Sequence, residues 1–110
     1  MHIFPCENGD EFPKNQYTKW FDYDKIKGTL SLRHRQPGDY LTLPSGGRKT
    51  LKSWMIDEKI PRQEREQIWL LAEEKHILWI VGHRISAYYK ITEQTKTILE
   101  VEFNGGKSSG

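Results

Sequence analysis

Cysteine is almost absent. Cys6 alone cannot close an internal disulfide, which removes the disulfide-stapled secreted class and fits a reducing compartment. Long apolar runs are missing as well. No stretch approaches the roughly 20 residues needed to cross a bilayer. The opening Met1-His2-Ile3-Phe4-Pro5 also lacks the apolar core of a signal peptide. No membrane association and a cytoplasmic location are therefore expected. Metal-ligand spacing is lacking too. His2 and Cys6 stand four apart, but a zinc site takes about four ligands, and His34, His76 and His83 form no paired motif. Nothing places a base beside Cys6, so it reads as a spectator thiol, and no catalytic or metal-binding residue is assigned.

What is present suits a small globular domain. The 110 residues are 29% charged and 35% hydrophobic, with four Trp, five Tyr and four Phe to fill a modest core. Net charge is only +2, too little to mark a nucleic-acid binder by itself. Its distribution is uneven, however. Residues 33–65 hold eight basic side chains against four acids, a local +4, and the rest of the chain sums to −2. A one-sided basic surface for a polyanion requires such an asymmetry, although an ordinary solvated face can also be basic.

Periodicity predicts an irregular lead-in or edge strand over 1–16, one domain over 17–103 and a flexible tail over 104–110. Aromatic strand formers occupy 17–22. Residues 29–35 alternate, placing Leu30 and Leu32 on one face and Arg33 and Arg35 side by side on an outward face, about 7 Å apart. Gln36-Pro37-Gly38-Asp39 is a turn signal, followed by a short strand at 41–43 and a second turn at Ser45-Gly46-Gly47. Leu51, Trp54 and Met55 predict an amphipathic helix over 49–58, with Lys49, Lys52 and Lys59 opposite and Ile56 among them. Pro61 suits the first turn of a second short helix carrying Arg62 and Arg65. The apolar runs 68–72 and 76–81 predict a buried hairpin ended by Gly82. Further strands follow at 85–91 and 97–103. Short antiparallel or mixed strands with two short central helices make an α+β fold.

The run Leu32-Arg33-His34-Arg35-Gln36-Pro37-Gly38-Asp39, the segment 47–61 beginning Gly47-Arg48-Lys49-Thr50-Leu51-Lys52-Ser53-Trp54, and Arg65 resemble the C-terminal domain of bacterial tRNA(Ile)-lysidine synthetases. Downstream, Ile77-Leu78-Trp79-Ile80-Val81-Gly82-His83-Arg84-Ile85-Ser86 resembles the family's closing strand, glycine and Arg-Ile-Ser segment. Together these cover about half the chain in order and spacing, which is more specific than any one short motif.

The resemblance implies an unusual β-sandwich, similar to a domain of the phenylalanyl-tRNA synthetase β chain. It implies a parent ligase that uses ATP and Mg to activate the wobble cytidine of an isoleucine tRNA and join lysine to it. The implied role of this chain is to hold the acceptor-stem side of that tRNA for a separate N-terminal catalytic domain, itself a partner. A homodimer stays open.

Duplex RNA is read largely through backbone and shape, by Arg and Lys at phosphates. The candidate tRNA-binding residues are Arg33, Arg35, Lys49, Lys52, Arg62, Arg65 and Arg84, with Arg33 first. Each reads equally as a solvated charge or a structural ion pair, and Arg35 beside Asp39 as a brace for the turn. Trp54, Trp69 and Trp79 read as core, and Trp20 stays open. His34 and His83 read as RNA contacts or as structural residues. Ser45-Gly46-Gly47 superficially matches the parent's Ser-Gly-Gly-x-Asp-Ser pyrophosphate loop, but Lys49 and Thr50 replace the Asp and Ser, so a plain turn and no cofactor are expected here. The rival function is a protein-interaction module packing on the catalytic domain or a second subunit. A small hydrolase has the least support.

Overall fold

The computed structural model describes residues 2–6 and 17–103. The expected tail at 104–110 and most of the expected lead-in lie outside that range. In chain order the strands are β1 (His2–Pro5), β2 (Thr18–Asp22), β3 (Leu30–Arg33), β4 (Tyr40–Thr42), β5 (Arg48–Thr50), β6 (Leu70–Glu73), β7 (His76–Ile80), β8 (Arg84–Ile85) and β9 (Thr97–Glu102). Two helices, α1 (Leu51–Asp57) and α2 (Arg62–Arg65), lie between β5 and β6. The chain divides into two compact units. One is Lys27–Tyr88, and the other combines the flanking segments Met1–Ile26 and Tyr89–Gly110.

The flanking unit is a three-stranded antiparallel sheet in the order β1-β9-β2, so the first strand is an edge strand. Along β9, Ile98 is buried on one face and Leu99 and Val101 on the other, and Phe21 of β2, paired with Leu99, is fully buried. Asp22 is also buried. Its carboxylate accepts the Asp24 N–H at 3.1 Å and the Thr95 hydroxyl at 3.0 Å, which satisfies the charge and caps the 3-10 turn Tyr23–Lys25. Trp20 donates its indole N–H to Glu100 across the β2–β9 pair at 2.9 Å.

The central unit holds the second sheet, in the order β3-β6-β7-β4-β5 with β8 added to β7. Every pairing is antiparallel except β4 with β7, which meet in parallel at Tyr40 and His76. Its core joins Leu41, Leu51, Trp54, Met55, Ile60, Leu70, Ala72, Ile77 and Ile80. The spacing of Leu51, Trp54 and Met55 turns one face of α1 into that core. The helix begins two residues later than expected. Lys49 belongs to the unforeseen strand β5, and Thr50 is the N-cap, its hydroxyl accepting the Ser53 N–H at 3.1 Å. Pro61 likewise occupies the cap position before α2 instead of its first turn.

Three other expectations are corrected. The strand expected over 85–91 shrinks to Arg84–Ile85, and Ala87–Tyr89 forms a 3-10 turn. Leu32, on the face expected opposite the outward arginines, is itself 50% exposed. Trp69 precedes β6 and is 37% exposed, stacked on His34 with ring centroids 4.1 Å apart, so it is not core.

Candidate nucleic-acid interface

The expected pair of outward arginines does not form. Strand β3 ends at Arg33, so Arg35 leaves the pleat and the two side chains part. Arg33 turns onto Asp39, with Nη1 to Oδ2 and Nη2 to Oδ1 both at 2.9 Å. The same guanidinium donates to the carbonyls of His34 (3.0 Å) and Glu74 (2.6 Å). Asp39 has a fully buried side chain and also accepts the Gln36 N–H at 2.8 Å. The turn Gln36-Pro37-Gly38-Asp39 is closed by Asp39 N–H to the Gln36 carbonyl at 3.2 Å. Gly38 adopts φ +88°, as the third position of a type II turn demands. Arg33, and not Arg35, is therefore the brace of this turn. It also steadies Glu74, a non-glycine residue at φ +56° in the β6–β7 hairpin, whose carbonyl it binds.

The remaining candidates divide by what they touch. Arg35 reaches Glu66 with Nε at 2.7 Å and Nη2 at 2.6 Å, at the surface. Lys49 pairs with Asp57. Arg65 donates Nε to the Ile60 carbonyl at 2.8 Å and ties α2 to the end of the preceding loop. Lys52, Arg62 and Arg84 are exposed, and their side chains make no hydrogen bond or ion pair among the described residues. Arg35 and Lys52 are brought together. With Glu66, the turn 36–39, Thr50 and Leu51, they line an open cleft of about 590 Å³.

A second cluster was not singled out by sequence. Arg48 lies over the Tyr40 ring at 4.5 Å, and Tyr40 stacks on His76 with centroids 4.6 Å apart. His76 in turn meets Tyr88 at 5.1 Å. The His76 Nε2 lies 3.0 Å from the Thr42 hydroxyl and 3.4 Å from that of buried Ser86. Burial holds the His76 pKa below its usual value. Arg48 lowers it further, and Glu73 opposes both. A short strand at 41–43 was legible in sequence, but the parallel pairing that sets Tyr40 opposite His76 joins residues 36 apart and was not.

Ser45-Gly46-Gly47 closes the β4–β5 hairpin, with the Leu43 N–H on the Gly47 carbonyl and the Gly46 N–H on the Leu43 carbonyl, both at 2.8 Å. Those amides are spent within the turn and open no helix, so the segment does not fit an ATP phosphate cradle. Among the described residues no group of three or more His, Cys, Asp or Glu could hold a metal. No helix there is long and apolar enough to cross a membrane.

Residues 30–102 match the profile of the family described as TilS substrate C-terminal domain, TilS being tRNA(Ile)-lysidine synthase. The chain belongs to this family. Within the TilS C-terminal domain family it is similar to the tRNA(Ile)-lysidine synthase of Caldanaerobacter subterraneus subsp. tengcongensis, at 46% identity over 103 residues, 93% of this chain and 22% of that protein. The Clostridium tetani tRNA(Ile)-lysidine synthase is 41% identical over 101 residues, 91% of this chain and again 22% of the relative. The chain thus spans about a fifth of these synthases. A solved TILS C-terminal domain superposes with a TM-score of 0.59 at 31% identity, covering 87% of this chain and 80% of that one. The sequence resemblance to lysidine synthetases and the small sheet-rich TilS C-terminal fold agree.

Proposed function

We propose that this chain is the tRNA-gripping part of a cytoplasmic tRNA(Ile)-lysidine synthetase and performs no catalysis alone. It holds the acceptor-stem side of the isoleucine tRNA while a separate N-terminal domain, using ATP and Mg, joins lysine to the wobble cytidine. A β-sandwich like that of the phenylalanyl-tRNA synthetase β chain belongs to the same reading. The observation that carries it is the set of exposed cations, Lys52, Arg62 and Arg84, with no partner among the described residues, on a domain of this family. An unpaired exposed cation keeps its full charge for a phosphate, whereas one held in an ion pair must first release its carboxylate.

Arg35 is the intermediate case. Its partner Glu66 is well exposed, and an exposed pair of this type is worth about 0–1 kcal/mol, so a phosphate in the cleft can displace it. Arg33, Lys49 and Arg65 act by holding the surface in shape. Positioning a substrate in this way accelerates chemistry done elsewhere.

The test is a titration of the 110-residue chain with isoleucine tRNA bearing a wobble cytidine, at several salt concentrations, beside an unrelated tRNA. Saturable binding that falls steeply with salt supports the reading. Absence of RNA binding at low salt, together with capture of the separately made catalytic domain, replaces it with a protein-interaction module. The exposed apolar side chains of Leu32 and Ile56, each 50% exposed, favour that second reading.

A further inference from the structure

Four planar groups follow one another on one face of the central sheet. The guanidinium of Arg48 covers Tyr40, Tyr40 stacks on His76 at an interplanar angle of 26°, and Tyr88 leans against His76 at 38°. Pleating explains why they share a face. Tyr40 and Thr42 flank the core residue Leu41 along β4, and Arg48 pairs with Thr42 across the β4–β5 hairpin. Thr42 and Ser86 fix the imidazole in the middle through Nε2. Its depressed pKa keeps it neutral at neutral pH, so no second charge interrupts the stack. Both terminal members reach solvent, since Arg48 is exposed and Tyr88 is 42% exposed.

We propose that the Arg48, Tyr40, His76 and Tyr88 ladder is a stacking site for an unpaired nucleobase of RNA, the base adding at Tyr88. Every base has a π face, so a rigid aromatic platform binds bases without reading sequence. Arg48, at the far end of the ladder, supplies charge for a phosphate further along the same single strand. The proposal rests on the tRNA-binding reading but assigns contacts outside the phosphate-binding set, to nucleotides that are not in a duplex.

The experiment uses the 110-residue chain and three RNAs: a blunt hairpin, the same hairpin with a single-stranded 3′ extension carrying 2-aminopurine, and that extension alone. The extended hairpin binds about tenfold more tightly than the blunt one, with quenched 2-aminopurine fluorescence. Tyr88→Ala abolishes the quenching and the extra affinity and leaves blunt-hairpin binding intact, whereas Tyr88→Phe preserves all three. Arg48→Gln, which leaves the rings in place, weakens only the extension's contribution. Equal affinity for both hairpins without quenching, or quenching that survives in Tyr88→Ala, overturns the ladder. If the blunt hairpin fails to bind but the extension alone is quenched through Tyr88, the duplex-gripping reading falls and the ladder stands.

Discussion

The guanidinium of Arg33 and the buried carboxylate of Asp39 form a two-pronged pair, both contacts at 2.9 Å, with only 16% of the arginine side chain exposed. The pair joins the end of β3 to the turn that starts β4, and through the Glu74 carbonyl it reaches the β6–β7 hairpin. Removing one member of such a pair strands the other charge in a dry site.

Arg33→Ala is therefore expected to lower unfolding stability by about 3–5 kcal/mol, read from urea denaturation. A loss under about 1 kcal/mol would show that the pair is dispensable. Any fall in tRNA binding by this variant must be measured at a temperature where it is folded.

Lys52→Ala, Arg62→Ala and Arg84→Ala should each leave stability within about 0.5 kcal/mol, since none has a described partner to lose. Each should weaken tRNA binding and reduce the slope of log affinity against log salt by about 1. An unchanged slope in all three would remove them from the RNA contact.

Glu66→Gln frees Arg35 at the mouth of the cleft. Stability should change by less than about 1 kcal/mol, because the pair is exposed. Binding to tRNA should tighten most at low salt, which titration at two ionic strengths will read. Weaker binding in this variant would mean that Glu66 holds Arg35 in its working position.

His76 sets an acid limit. Its folded pKa lies below the ordinary value of 6.5 because burial, then Arg48, disfavours the charged form. Below about pH 6.5 the unfolded chain takes up a proton that the folded chain refuses, so stability contributed by neutral His76 is lost as pH falls towards the lowered folded value. Above pH 6.5 that contribution is complete. His76→Gln should flatten the stability profile between these limits in thermal melts from pH 5 to 8; an unaltered profile would show that other groups set it.

Local rules were enough for several elements. Pro37-Gly38 announced a turn, Leu51, Trp54 and Met55 announced the buried face of α1, and alternation marked β9. Strand β5 escaped notice because Arg48-Lys49-Thr50 has no apolar alternation and earns its place by pairing with β4. The inward turn of Arg33 is illegible for a related reason. Period-two alternation says which side of a strand a residue leaves from, but not that a carboxylate six positions on will be folded beneath it.

The sequence by itself determined the family, the α+β character and the basic middle of the chain, since these rest on residue types and spacings along the chain. Tertiary structure alone decided which of the candidate cations have a side chain partnered among the described residues and which do not. It also decided that Arg48, Tyr40, His76 and Tyr88 meet. Those outcomes depend on strand order and on the parallel pairing of β4 with β7, contacts between residues distant in sequence that no local pattern encodes.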